Sequence, residues 1–102
     1  MRILALSDLH ENLEMLRIVS RLIKCDVLML AGDITELQGR LLMDILGGIR
    51  VPTIIISGNH DCVPCLWAIS KKLNHVHYVR SGIIRIHTDS GELSVLCISG
   101  IY

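Results

Sequence analysis

Short apolar runs alternate with amphipathic stretches along the first three quarters of this chain. The runs predict β-strands at residues 2–7, 26–31 and 53–57. Between and after them, apolar residues recur every three or four positions, which predicts helices over 11–24, 37–46 and 64–73. The first run shows no alternation of apolar and polar residues, which is typical of a strand covered on both faces. The pattern predicts three consecutive β–α units and, with right-handed crossovers, a parallel sheet.

The pattern changes after residue 73, where the predicted elements are strands only. They lie at 76–79, 83–87 and 93–98, and a turn through Asp89, Ser90 and Gly91 joins the last two. The predicted fold class is α/β: a mostly parallel sheet from three β–α units, followed by a β-hairpin. We expect a single domain over 1–102, truncated in form because the chain stops directly after a strand.

Composition narrows the class of protein. The chain has 102 residues, 51% of them hydrophobic, which is enough to build one buried core. The formal net charge is zero and the basic residues are scattered, which disfavours a nucleic-acid partner. Charges interrupt every apolar run, so no membrane span is predicted. The apolar start is too short for a secretory signal, and the expected location is cytoplasmic.

Four cysteines, Cys25, Cys62, Cys65 and Cys97, are unevenly spaced. Without a secretory signal we expect them to be reduced thiols. Cys62-Val-Pro-Cys65 has the spacing of a redox motif and could also supply two ligands of a zinc site. The interpretation we favour places both residues in the first turn of a helix, one of them packed inward as a small apolar side chain.

Polar cassettes follow each of the first three predicted strands. They are Asp8-Leu9-His10, Gly32-Asp33 and Gly58-Asn59-His60-Asp61. Because ligands of open α/β sheets bind outside the carboxyl ends of the strands, we expect the three cassettes to meet at one sheet edge. Carboxylate, imidazole and amide oxygen together are ligands that suit divalent metals, with Mn, Fe, Co or Zn favoured over Mg or Ca.

The cassettes offer donors for a pair of ions. Asp8 and His10 are two residues apart in a loop, so both can bind a first ion. Asp33 has two carboxylate oxygens and can bridge two ions about 3.5–4 Å apart, as in two-metal hydrolases. Asn59 can give its amide oxygen to the second ion. Taken singly, Asp8 and Asp33 could instead be ordinary helix N-caps.

Two further residues have the chemistry of a catalytic pair. His60 can protonate a leaving alkoxide as a general acid, a role worth about 10²–10⁴-fold in rate. Asp61 can hold the imidazole of His60 in the required tautomer. Each could also belong to an ordinary turn, and the metal interpretation depends on all three cassettes occurring together.

The order Asp8-x-His10, Gly32-Asp33, Gly58-Asn59-His60-Asp61 resembles the first three motifs of the calcineurin-like metallophosphoesterase family. The resemblance covers the whole chain as the N-terminal half of a family domain. It implies a four-layer αββα sandwich around two divalent metal ions, with Mn²⁺ expected first and Fe, Zn, Co or Ni as alternatives. It also implies hydrolysis of phosphomonoesters or phosphodiesters.

The chain departs from the family pattern in its histidines. Family members add a lone histidine and a Gly-His-x-His element that complete both metal shells. Asn74-His75-Val76-His77 lacks the glycine and comes too early, so we interpret His75 and His77 as strand-edge residues. His87 is interpreted as a residue on one face of a hairpin strand.

The predicted function is therefore metal-dependent hydrolysis of a small phosphoester, with the activity of this short chain left open by the absent histidines. The alternative is a non-catalytic module of the same fold used for protein–protein interaction. Because the resemblance implies a second sheet that the chain lacks, we expect a homo-oligomer formed through the uncovered sheet face.

Overall fold

The computed structural model describes residues 1–98, and the last four residues of the predicted domain lie outside that range. No helix within the described range has the length and apolar character needed to cross a membrane. The elements, in chain order, are β1 Ile3–Leu6, α1 Leu13–Leu22, β2 Val27–Ala31, α2 Gly39–Gly48, β3 Thr53–Ile56, α3 Val63–Lys72, β4 Val76–Tyr78, β5 Ser81–Thr88 and β6 Gly91–Ile98.

The first four strands form one parallel sheet in the order β1-β2-β3-β4. In its register Ile3 lies opposite Val27, and Thr53 lies opposite both Leu28 and Val76. β5 and β6 form a separate antiparallel hairpin. The α/β fold with three β–α units and a terminal hairpin is confirmed. Parallel pairing places the loops after β1, β2 and β3 at one edge of the sheet.

The three helices cover one face of the sheet and form the main core with it. Each helix contributes fully buried leucines, among them Leu16, Leu42 and Leu66, which pack with Leu30 and Ile55 of the sheet. Burying a side chain of this size stabilises a fold by roughly 1.5–3 kcal/mol. The apolar residues that recur every three or four positions are therefore the ones that the helices bury in this core.

The hairpin packs on the opposite face of the sheet, over its two central strands. Val27 and Ile54 form a second buried cluster there with Ile86 and Cys97 of the hairpin. β1 lies at the sheet edge, beyond this cluster, and Ile3 stays 44% exposed. The prediction that the first strand is covered on both faces is therefore wrong.

Two helices begin two residues later than their periodicity predicts. α1 starts at Leu13 because His10 and Glu11 adopt positive φ angles, which a right-handed helix does not allow. α2 starts at Gly39, after Gln38, whose φ of −116° and ψ of +40° are not helical. The backbone N–H groups of Glu36 and Leu37, just before it, donate to the Glu11 carboxylate.

The outer face of the hairpin carries the most exposed branched side chains of the sheet layers. Ile83 and Leu96 lie directly opposite one another and are 69% and 65% exposed, and Ile98 is 73% exposed. Ile3 adds to the exposed apolar surface at the β1 edge. Contiguous exposed apolar side chains of this kind favour association.

We predict that the chain self-associates through this apolar surface. Sedimentation velocity over a range of protein concentrations should show a rising weight-average sedimentation coefficient, and Leu96→Lys should reduce the rise because it places a charge in the contact. Met15→Lys makes the same change at a residue 45% exposed on α1 and should leave association unchanged. A concentration-independent monomer would contradict the prediction.

Candidate metal centre

The loops after β1 and β2 bring three donor side chains together. Asp8, His10 and Asp33 each offer one atom, and these atoms all lie within 4.8 Å of one another. The His10 Nε2 and Asp8 Oδ1 atoms are 3.7 Å apart, and both side chains are more than half exposed. The predicted convergence of these three residues at the sheet edge is thus observed.

The spacing of these donors suits a divalent ion. Ligands bound about 2.1 Å from a metal lie roughly 3–4 Å from one another around it. The 3.7 Å between imidazole nitrogen and carboxylate oxygen falls in that interval, and the whole group needs only small side-chain adjustments to close on an ion. Two carboxylates and one imidazole are also a donor set that transition-metal ions accept. The residues present therefore fit a metal.

The donor residues stand in an unusual backbone conformation. Asp8, His10, Glu11 and Asp33 have φ angles of +56°, +46°, +70° and +53°. A non-glycine residue in this left-handed region costs of order 1–3 kcal/mol and persists only where its surroundings fix it. Such strain concentrates at functional sites, and here it concentrates on the predicted ligands and one neighbour.

Backbone hydrogen bonds between the two loops hold this conformation. The N–H of Asp8 donates to the carbonyl of Gly32 at 3.0 Å, and the N–H of His10 donates to that of Asp33 at 2.9 Å. The N–H of Glu11 continues the series to the carbonyl of Ile34 at 3.0 Å. The pairing between β1 and β2 is thereby extended past the strands, and the extension carries the three donor side chains.

The Asp61 carboxylate joins the third loop to the second. It accepts four backbone N–H bonds of 2.7–3.0 Å, with Oδ2 bound to Asp33 and Gly58 and Oδ1 bound to Ile34 and Thr35. We expected Asp61 to orient the imidazole of His60, but its oxygens are directed to these amides. Its observed task is to hold the Asp33 loop against the loop after β3.

Glu11 plays a similar part between the first loop and α2, and the sequence analysis did not identify it. Its carboxylate accepts a short hydrogen bond from the Thr35 hydroxyl and bonds of 3.0 and 3.1 Å from the backbone N–H groups of Glu36 and Leu37. Partial burial raises the pKa of Glu11, but these hydrogen bonds and nearby His10 outweigh it, and the pKa lies below its ordinary value. In the sequence Glu11 is the first residue of the predicted helix 11–24, and no local pattern marks its distant partners.

The loop after β3 completes the cleft. The backbone N–H of His60 donates to Asp33 Oδ1 at 3.0 Å. This bond fixes one of the two oxygens of the Asp33 carboxylate. The imidazoles of His10 and His60 lie 6.1 Å apart between ring centroids and line a cavity of about 170 Å³ together with Glu11 and Asp33. Asn59, the predicted ligand of a second ion, is an exposed residue of the same loop.

Gly58 is required by this contact between loops. A Cβ atom at this position would lie 2.5 Å from Asp33 Oδ1 and 2.8 Å from the Asp33 backbone nitrogen. Real Cβ atoms do not approach other atoms so closely, so any side chain here would displace the Asp33 carboxylate. The glycine of the Gly-Asn-His-Asp cassette therefore lets the second and third loops touch.

The Cys62-x-x-Cys65 pair differs in redox state from the expectation. Both residues lie at the start of α3, as predicted, with Cys62 as the N-cap, but a disulfide joins them rather than leaving two thiols. Their Cα atoms are 5.2 Å apart, a separation that the first helical turn supplies and that a disulfide allows. Cys25 and Cys97 remain free thiols.

The other histidines lie away from the cleft. His75 bonds through Nε2 to the Leu46 carbonyl of α2 at 2.8 Å, and His77 is a residue of β4. His87 lies on β5, with its Nδ1 3.9 Å from Glu92 of β6. These places agree with the interpretation of all three as strand or strand-edge residues.

Comparison with known proteins gives one family. The model of the calcineurin-like phosphoesterase superfamily domain matches residues 1–97. No curated protein and no solved structure matches the chain. The match takes in all three cassettes and the strands that carry them.

We predict that Gly58→Ala lowers the free energy of unfolding by about 1–3 kcal/mol, because the added methyl group overpacks the contact with Asp33. Urea denaturation measures this change. Gly47→Ala is the matched control: nothing lies within 4 Å of the new methyl group in α2, and the change should stabilise by about 0.5–1 kcal/mol. Equal stabilities for the two variants would contradict the steric argument.

We predict a pH-dependent stability difference between the wild type and Glu11→Gln. Because the folded-state pKa of Glu11 lies below its ordinary value of 4.5, the carboxylate stabilises the fold above pH 4.5, and this contribution is lost as pH falls through the folded-state pKa. Urea denaturation should therefore find the variant less stable at pH 7 and the difference reduced at pH 3. A difference that stays constant or grows on acidification would refute this assignment.

Proposed function

This chain belongs to the calcineurin-like phosphoesterase superfamily, and we propose that it hydrolyses phosphoesters with divalent metal ions in the cleft at the carboxyl ends of β1, β2 and β3. One observation carries the proposal: the donor atoms of Asp8, His10 and Asp33 converge within 4.8 Å beside the imidazole of His60. The site lies where open α/β sheets bind ligands.

Each donor has an assigned place in the proposed centre. Asp8 and His10 would hold the first ion, Asp33 would bridge, and Asn59 would supply an amide oxygen to the second. We take Mn²⁺ as the first metal to test. A bound divalent ion supplies Lewis acidity toward a phosphoryl oxygen and lowers the pKa of bound water. Asp33 suits the bridging place because the backbone N–H of His60 holds its carboxylate and the Asp61 carboxylate holds its backbone N–H.

His60 is the proposed general acid. Its side chain is exposed at the rim of the cleft, within reach of solvent and of a leaving-group oxygen. Its backbone N–H is bonded to Asp33, so the main chain that carries the imidazole is held beside the donors. Protonation of the leaving alkoxide by such a group contributes about 10²–10⁴-fold. Asp61 would act on His60 only indirectly, by holding the loop after β3 that carries both residues.

The shape of the cleft favours a small substrate. Its volume is about 170 Å³ and it opens directly to solvent, so it can receive a phosphoryl group while the leaving group stays outside. Among the described residues, no Lys or Arg lines the cleft and Glu11, Asp33 and Glu36 do, so the cleft lacks the basic groups that would contact the phosphates of a long nucleic acid.

The second candidate is a non-catalytic module that binds other proteins. The exposed Ile83, Leu96 and Ile98 on the hairpin favour this alternative, because contiguous apolar surface is typical of interaction sites. The two candidate functions differ in whether they require a bound metal ion. Only the hydrolase requires bound ions for its measured activity.

We predict Mn²⁺-dependent release of p-nitrophenol from p-nitrophenyl phosphate or bis(p-nitrophenyl) phosphate. Asp33→Asn should abolish both metal binding and turnover, because it removes the bridging charge. His60→Ala should lower kcat by about 10²-fold or more and leave metal binding intact, because its side chain acts on the leaving group. Steady-state kinetics gives turnover, and the electron paramagnetic resonance signal of free Mn²⁺ gives metal binding.

Asp89→Asn is the matched control, since Asp89 is an exposed carboxylate in the hairpin turn. It should change neither measurement. Turnover that survives chelation of the metal, or that is equal in Asp33→Asn and the wild type, would overturn the proposal. Absence of Mn²⁺ binding by the wild type would favour the non-catalytic alternative.

A further inference from the structure

A second and larger cavity, of about 550 Å³, lies at the sheet edge opposite the metal centre. Its floor is formed where β1 and β2 begin, by Leu4 and Leu28, and its walls are the last turns of α1 and α2. Because parallel strands run from this edge to the cleft, the two sites are separated by the length of the sheet. Cavities of this volume are typical of small-molecule sites.

The charges around this cavity are mostly of one sign. Arg17, Arg21, Lys24 and Arg50 line it, and Asp44 is the one acidic residue among the lining side chains. Arg17 has a partial partner, since its Nη1 lies 3.5 Å from Glu14. Within residues 1–98, the remaining three basic side chains form no ion pair.

The position of Arg50 makes this excess charge informative. Basic residues near a helix carboxyl end are common because they complement the helix dipole, and this accounts for Arg21 in the last turn of α1. Arg50 lies beyond α2, in the extended segment that leads to β3, and α2 has no basic residue in its own last turn. The dipole therefore does not account for the full set of cations.

The interior of the cavity is apolar. Leu4, Leu28, Ile45, Ile49 and Val51 form its floor and walls, while the basic groups belong to residues at its exposed rim. An apolar interior under a ring of cationic donors complements a molecule with an apolar body and one anionic end. Charge-assisted hydrogen bonds from guanidinium groups would hold that end.

We propose that this cavity binds an amphipathic anion, a small molecule with an aliphatic or aromatic body and a carboxylate, phosphate or sulfonate head. The body would lie against the half-buried Leu4 and Val51, and the head would be held by Arg21 and Arg50. The site is independent of the proposed phosphoester hydrolysis, because none of its lining residues belongs to the cleft.

Cys25 gives this cavity a built-in reporter. It is a free, half-buried thiol that lines the cavity, whereas Cys97 is fully buried and Cys62 and Cys65 are joined. Burial raises the pKa of the Cys25 thiol, so alkylation is best followed at mildly alkaline pH. A ligand in the cavity should slow this alkylation.

The test uses 1-octanesulfonate, which carries an apolar chain and an anionic head and holds no phosphoester bond that the cleft could cleave. Alkylation of Cys25 by N-ethylmaleimide, followed by peptide mass spectrometry, should slow saturably as the probe is added. 1-Octanol at the same concentrations should protect far less, because it lacks the charge. Arg50→Gln should weaken the apparent affinity for the sulfonate about tenfold.

Arg85→Gln is the matched control, since it makes the same change at an exposed arginine of the hairpin and should leave protection unchanged. Asp33→Asn should also leave it unchanged, so failure of the proposed hydrolysis and failure of this site are separate results. Arg21→Gln provides a second test of the rim, and circular dichroism verifies that each variant is folded. No protection by the sulfonate, equal protection by octanol, or full affinity in both rim variants would overturn the proposal.

Discussion

The structure depends on the Asp61 carboxylate and its four backbone N–H donors. Three of these donors are the consecutive residues Asp33, Ile34 and Thr35 of the loop after β2, and the fourth is Gly58, at the start of Asp61's own loop. The half-buried Asp61 carboxylate thus provides acceptors for backbone N–H groups that have no strand or helix partner in these loops. Because hydrogen bonds to a charged acceptor are the stronger kind, one side chain can hold two loops that the sheet leaves independent.

The Glu11 carboxylate accepts hydrogen bonds in the same way on the other side of the cleft. Glu11 and Asp61 therefore hold the loops, and other residues supply the donor atoms in the cleft. Glu11 and Asp61 spend their oxygens on amides and the Thr35 hydroxyl, while Asp8 and Asp33 keep oxygens directed at the cleft. The strained φ angles at the donors are tolerated because these contacts fix the loops around them. The conformational cost of the positive φ angles at Asp8, His10 and Asp33 is offset by hydrogen bonds to the Glu11 and Asp61 carboxylates.

The sequence predicted most of the fold because its strongest signals are local. Apolar runs and three-to-four periodicity reflect burial against a sheet, so the nine elements within residues 1–98 lie where those patterns occur. The convergence of Asp8, His10 and Asp33 also followed, since parallel strands have a common carboxyl edge. The position of β1 at the edge of the sheet could not be predicted from the sequence, because β1 has the composition of a buried strand. Ile3 is exposed because the hairpin packs over β2 and β3 and not over β1.

What the sequence did not reveal were contacts between residues far apart in the chain. Glu11 binds amides about 25 positions away, and Asp61 binds amides as distant, so neither task leaves a local pattern. The disulfide of Cys62 escaped prediction for another reason, because it depends on redox state as well as on helix geometry.

Apart from the Thr35 hydroxyl, the donors to the Glu11 and Asp61 carboxylates are backbone N–H groups, which every residue type except proline has. Glu36 and Leu37 are held through such N–H groups, and their side chains are exposed. The rim of the cleft can therefore diversify during evolution, altering which molecules it admits, while the framework beneath remains constant. Substitutions at these exposed rim positions would therefore change the surface of the cleft and leave the hydrogen bonds to Glu11 and Asp61 in place.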